Sequence, residues 1–146
     1  MKARLTLHSL GLMITTTDGG CLCGAMRYRL TELPKQTSIC YCVDCRRASA
    51  APVVAWASFR RENIAVLSGE LKQIRHADRL RSFASCCGTP IFFQDDEDSE
   101  WIDVTICSMD RPELHSPDVA IWTEDRLPWI ADAASLPEFR RAREAP

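Results

Sequence analysis

The sequence predicts a mainly β domain, β-rich α+β in class, made of antiparallel sheets with few short helices and stapled by metal. Three observations carry this expectation. Several segments alternate apolar and polar residues with the two-residue period of a half-buried strand. Strands do not alternate with long helical patterns, which argues against a parallel sheet. Seven of the eight cysteines fall in three tight groups, Cys21-Leu22-Cys23, Cys40-Tyr41-Cys42-Val43-Asp44-Cys45 and Cys86-Cys87. Such steps let one tight turn aim two sulfurs at a single ion about 2.3 Å from each.

Met13 begins a short polar lead into Gly19-Gly20-Cys21 and is a candidate first residue. Residues 1–18 are therefore expected to be an N-terminal extension, and 19–146 a single zinc-binding domain. From Ala25 to Leu30 the chain alternates apolar and polar side chains, as a strand would, until Pro34 and Gln36 break the pattern. Residues 52–59 are rich in β-formers, and 63–67 form a strand that ends in the turn Ser68-Gly69. Further strands are expected over 71–75, 80–83, 90–94 and 101–106. The acidic run 95–100 lacks the ligand spacing and the glycine of a calcium loop, so it is expected at an exposed hairpin tip. Helical signals are limited to 44–49, a turn at 110–114 and a terminal helix over 137–145 with proline near its start. Cys107, alone in Val104-Thr105-Ile106-Cys107-Ser108, is expected as a small buried hydrophobe on a strand.

At 146 residues, with 46% hydrophobic and 26% charged side chains, the composition is that of one ordinary globular domain. The formal charge of −2 creates no field that would gather nucleic acid or an anionic membrane. Arginines cluster locally at Arg46-Arg47, Arg60-Arg61, Arg79 with Arg81, and Arg140-Arg141 with Arg143, the last being solvated tail charge. No apolar stretch approaches the roughly eighteen residues that span a bilayer. The first thirteen residues start basic but are interrupted by His8, Ser9 and Gly11, so they do not resemble an export signal. A cytoplasmic location is expected, where thiols stay reduced; this favours zinc or a similar thiophilic metal over a disulfide framework. The short steps also do not match the usual iron–sulfur runs.

The three cysteine groups are chemically unequal. Cys21 and Cys23 with Cys86 and Cys87 offer four thiolates, enough to close a tetrahedral structural shell. Cys40, Cys42 and Cys45 offer three, leaving a fourth position for water, a substrate thiol or another side chain. His76 or His115 would be candidates for that ligand, so a catalytic site and a second structural site both remain open. Arg46 and Arg47 follow directly and are candidates to attract a carboxylate.

With these residues in view, the chain resembles the family of glutathione-dependent formaldehyde-activating enzymes, whose domain is similar to the Mss4-like β fold. The resemblance runs from about Gly19 to Pro137. It rests on Gly20-Cys21-Leu22-Cys23-Gly24, on Cys40 to Ser49, on Cys87-Gly88-Thr89-Pro90 and on the segment from Ile121 to Trp129. It implies one structural zinc, a second zinc on Cys40, Cys42 and Cys45 that meets substrate, and a carbon–sulfur lyase activity on a glutathione adduct. Two positions depart from the family pattern. Ala84 stands where the family places the first cysteine of Phe-Cys-x-x-Cys-Gly, with Cys86 as a possible replacement, and Tyr41 stands where histidine is frequent. A tyrosine, with its ordinary pKa of about 10, is a poorer base at neutral pH.

The leading expectation is thus a zinc enzyme acting on a glutathione or similar thiol–aldehyde adduct, with Arg46, Arg47 and Trp56 as candidate substrate contacts. A non-catalytic zinc module that binds a protein partner is the alternative, and it would bury both metals. A redox sensor that releases zinc on oxidation needs only exposed thiolates.

Overall fold

Ten strands and two short α-helices are distributed over residues 16–143, the part of the chain described by the computed structural model. β1 (Thr17–Gly20), β2 (Arg27–Leu30) and β5 (Ile64–Ser68) form a three-stranded antiparallel sheet in the order β1-β2-β5. The other sheet has seven strands: β3 (Gln36–Cys40), β4 (Val54–Arg60), β6 (Leu71–His76), β7 (Arg79–Ala84), β8 (Pro90–Gln94), β9 (Trp101–Thr105) and β10 (Val119–Ile121). Their spatial order is β10-β3-β4-β9-β8-β7-β6, and only β10 with β3 is a parallel pair. Helix α1 (Val43–Ser49) follows β3, and α2 (Pro128–Ala131) follows β10. The mainly antiparallel β class expected from the sequence is therefore the observed one.

Period-two burial explains how the sheets meet. Along β4, Ala57 and Phe59 pack with Met26, Tyr28 and Leu30 of the small-sheet region and with Ile102 and Val104 of β9. Val54 and Trp56, on alternate positions, face the opposite side and pack with Cys40 and Cys45. The large sheet thus carries the main core on one face and the second cysteine group on the other. Tyr28 is completely buried, meets Phe92 edge-on at 5.5 Å between ring centroids, and places its hydroxyl 2.7 Å from Ser108 Oγ.

Gly19 is paired with Tyr28 across β1 and β2. A Cβ there would run into the Tyr28 hydroxyl and lie 2.7 Å from the Ser108 carbonyl oxygen, so the close approach of strand and ring requires glycine.

Three strands were not anticipated. β1 and β10 are only 4 and 3 residues long, and β3, Gln36-Thr37-Ser38-Ile39-Cys40, is too polar to carry an apolar period. They form because neighbours supply register and hydrogen bonds. Thr37 Oγ1, for example, donates to the Ser116 carbonyl at 3.0 Å and accepts from the Asp118 amide at 3.2 Å. β1 also takes in Thr17 and Asp18, whereas residues 1–15 of the expected N-terminal extension lie outside the described residues.

Two expectations are corrected. Among the described residues of the expected terminal helix, 137–143 contain no helix, and residues 144 and 145 lie outside the description. Helical turns occur earlier, at Pro128–Ala131 and Ala133–Ser135. Residues 136–143 are exposed throughout, and without an apolar face to bury so short a helix is not stable. Cys107 is exposed and lies on a 3-10 turn, Ile106–Ser108, not on a strand. β9 stops at Thr105, and the turn buries Ile106 while leaving Cys107 outward.

Gly19→Ala should destabilise the fold by about 1–3 kcal/mol through overpacking against Tyr28. Urea unfolding followed by tryptophan fluorescence would measure this, and an unchanged midpoint would contradict the close packing of β1 on Tyr28.

Candidate metal centres and the clefts beside them

Two surface turns bring the first and third cysteine groups together. Cys21 follows β1, and the turn after it is closed by the Gly24 amide donating to the Cys21 carbonyl at 3.0 Å. The β7–β8 turn is closed by the Ala84 amide donating to the Thr89 carbonyl at 2.9 Å and the Gly88 amide donating to the Ala84 carbonyl at 2.8 Å. Gly88 has φ +76°, a left-handed conformation that glycine adopts without strain. Ser85, Cys86 and Cys87 occupy the turn itself, so the alternation that would point adjacent cysteines apart in a strand does not apply.

The resulting sulfur separations are 3.5 Å for Cys21–Cys23, 3.6 Å for Cys21–Cys86, 3.3 Å for Cys23–Cys86 and 3.9 Å for Cys86–Cys87. All four sulfurs lie within 4.8 Å of one another. A tetrahedral ion with bonds of about 2.3 Å has sulfur–sulfur edges of about 3.8 Å, so this donor set fits zinc. Ala84, by contrast, is wholly buried in the main core. The Thr89 hydroxyl, 3.2 Å from Cys87 Sγ, leads the hydrogen bonds that hold the Cys87 thiol down at about 5.

The second group is built on a strand end and a helix start. Cys40 closes β3, Cys42 is the N-cap of α1, and Cys45 lies in the first turn of that helix. The Cys45 amide donates to Cys42 Sγ at 3.3 Å. Burial opposes ionisation of Cys42, but the Cys45 amide, the neighbouring Cys45 and Cys40 thiols and the Asp44 amide together outweigh it and lower the thiol; burial pushes the Cys40 thiol up to about 12. The three sulfurs lie within 4.8 Å of one another, and among the described residues no histidine or carboxylate joins them. His76 lines a neighbouring cavity, and His115 Nε2 is 3.1 Å from Thr17 Oγ1. Neither histidine supplies the fourth ligand considered from the sequence.

Two cavities flank this group on the outer face of the large sheet. One, of about 460 Å³, is a polar cleft bordered by Cys40, Cys42, Cys45, Arg79, Arg81 and Asp103. The other, of about 600 Å³, has mainly apolar walls. Asp44, Cys45, Trp56 and Arg81 border both. Trp56 is only 7% exposed and packs beside Phe93 at 5.9 Å, so it is a core residue whose remaining surface walls the site.

The candidate arginines separate. Arg47 borders the larger cavity, whereas Arg46 borders neither, and its Nε is buried without a hydrogen-bond partner. Arg79 and Arg81, noted in the sequence only as a cluster, face the clefts. Their signal was the two-residue step, which puts both on one face of β7. Arg79 is held by Asp44 at 3.0 Å. The Arg81 guanidinium lies 4.7 Å from the Phe93 ring centroid and forms no salt bridge among the described residues.

Two further residues escaped the sequence reading. Trp122 follows β10 in a left-handed conformation, φ 54° and ψ 42°, and walls the polar cleft. For a bulky side chain that geometry costs on the order of 1–3 kcal/mol, which the surrounding contacts must offset. Asp103, on the cleft floor, accepts a hydrogen bond from Ser58, and burial pushes its carboxyl above the usual range.

The fold is a two-sheet β scaffold bearing one four-sulfur group and one three-sulfur group open to a cleft, each able to hold a metal ion. The chain belongs to the glutathione-dependent formaldehyde-activating enzyme family, whose model matches residues 16–125. A crystal structure of a Rhodobacter sphaeroides protein, a structural genomics target, is similar with a TM-score of 0.56 and 21% identity, covering 70% of this chain and 98% of that chain. That likeness shows the fold. No curated protein matches the chain.

Protein purified without chelator should carry two equivalents of zinc by elemental analysis, and Cys86→Ser should lose about one and melt at lower temperature. Retention of two equivalents by the Cys86→Ser protein would remove Cys86 from the donor set. Asp103 also sets a pH dependence. Its folded pKa exceeds its unfolded value, so this carboxyl binds more protons in the folded state and the stability it contributes falls as pH rises from about 3.9 through the folded pKa. Asp103→Asn should flatten that fall in a series of melting temperatures against pH.

Proposed function

We propose that the chain is a carbon–sulfur lyase-type enzyme that makes or breaks the adduct of glutathione, or a similar thiol, with an aldehyde. The observation that carries this reading is the three-sulfur group of Cys40, Cys42 and Cys45, bordered by a polar cleft and lacking a fourth protein donor among the described residues. A purely structural site would be closed by protein, and a protein-binding module would not need a cavity of this size at its metal group.

Addition of a thiol to an aldehyde forms a carbon–sulfur bond, opens the carbonyl π bond and moves the thiol proton to oxygen; the reverse step restores all three. The reaction needs no oxidant or reductant. Zinc bound to the three thiolates would supply Lewis-acid polarisation of the oxygen or sulfur at the reacting carbon. The remaining work falls to side chains. Arg81, which forms no salt bridge among the described residues, is suited to a substrate carboxylate, and Arg47 can serve from the rim of the larger cavity. Trp56 and Trp122 wall the cleft beside the three sulfurs. Tyr41 is 9% exposed and lies 4.3 Å from the Arg126 guanidinium, so it is a packing residue here and not a base.

Cys42→Ser should cut turnover of S-hydroxymethylglutathione at least about 100-fold, the range over which loss of a group acting in the transition state is felt. Circular dichroism should show the fold retained, because the four-sulfur group is untouched. A folded Cys42→Ser protein with full turnover would end this reading.

A further inference from the structure

We propose that the larger cavity receives an apolar substituent on the carbonyl partner, so that the adduct handled here comes from an aldehyde bearing a hydrophobic chain or ring. The inference rests on the thiol–aldehyde reading above and names the half of the substrate that the reading leaves open.

Formaldehyde places only hydrogens on the reacting carbon, so it needs no room beyond the thiol group. The cavity beside Cys45 nevertheless measures about 600 Å³, against roughly 30 Å³ for one water in the liquid. Most of its exposed wall is apolar, from Val54, Trp56, Ile74, Phe83, Pro90 and Phe92, and its charged or ionisable groups are Asp44, Arg47, His76 and Arg81. A peptide-like thiol such as glutathione carries ammonium, amide and carboxylate groups, which the apolar stretch of these walls does not satisfy; the polar partners here, Arg47, His76 and the shared Asp44 and Arg81, are interspersed among apolar side chains. The polar cleft on the other side of Cys45 does offer such partners, Arg81, Asp95, Asp103 and Gln36 among them.

The two spaces share wall residues where the chemistry is expected. Cys45, Trp56, Asp44 and Arg81 border both, so one molecule can lie with its polar half in the cleft, its reacting carbon at the sulfur group and its apolar half in the cavity. A thiohemiacetal of glutathione and a medium-chain or aromatic aldehyde has this division, with the carbon–sulfur bond at the junction. Each methylene buried is worth roughly fourfold in affinity, so even a partly filled cavity produces a measurable preference.

The test uses unreactive analogues on the protein as purified. By calorimetry, S-hexylglutathione should bind at least about tenfold more tightly than S-methylglutathione. Ala48 lies on the exposed side of α1 at the cavity wall, and Ala48→Phe should fold normally, fill part of the space and bring the ratio towards one. Turnover provides the second arm: kcat/KM for hexanal with glutathione should exceed that for formaldehyde with glutathione. Equal affinities for the two analogues, or a hexyl preference that survives Ala48→Phe in a folded protein, overturns the proposal. If formaldehyde is turned over and hexanal is no better, the cavity assignment falls while the enzyme reading stands. If neither aldehyde is turned over and neither analogue binds, the enzyme reading itself fails.

Discussion

The convergence of Cys21, Cys23, Cys86 and Cys87 is the constraint on which the rest of the structure depends. Cys21 and Cys86 are 65 positions apart in the chain, yet their sulfurs are 3.6 Å apart. That contact ties the turn between β1 and β2 to the turn between β7 and β8, one from each sheet. Cys21 itself belongs to the main core with Met26, Tyr28 and Ala84. A shared ion there would act as a crosslink, and closing so long a loop removes much of the freedom of the unfolded chain. Once the small sheet is held against one face of the large sheet, the opposite face is left to carry the second group and its cavities.

Local pattern made much of this legible. β2, β4, β5, β6, β7, β8 and β9 alternate apolar and polar residues or consist of strong β-formers, and their limits follow the sequence closely. α1 was also legible, expected over 44–49 and observed over Val43–Ser49. β1, β3 and β10 were hidden because they are stabilised by partners distant in the chain, not by their own composition. The terminal helix misled for the opposite reason: 137–143 has plausible helical residues but no surface on which to bury them. At the site, the cysteine spacing carried both ligand groups, including Cys86 once the turn geometry is known. Arg81, Trp122 and Asp103 were not legible as site residues, because only the pairing of strands far apart in the chain places them around one cleft.

The site joins opposite environments over a short distance. Asp103 and Arg79 give one side charge and hydrogen-bonding capacity, whereas the other is walled chiefly by apolar side chains such as Val54, Phe83 and Phe92, with Arg81 shared between them. Trp56 borders both. One face of β4 therefore serves as core, as shared wall and as floor, which explains why a residue type usually assigned to packing also walls a cavity.

The parallel pairing of β10 with β3 bears on the order in which the molecule is made. Ile121 lies beside Cys40, and its carbonyl accepts from the Tyr41 amide at 3.2 Å, so Trp122 reaches the cleft only after that pairing forms. Thr37 and Ser116, bonded at the base of the pair, are 79 positions apart. At a synthesis rate of about 5–20 residues per second, the ribosome completes the three-cysteine segment roughly 4–16 seconds before it delivers this wall. For that interval the nascent chain presents Cys40, Cys42 and Cys45 from a side that the finished protein covers. A metal ion captured by these three cysteines during translation would therefore have a wider approach than one entering the mature fold.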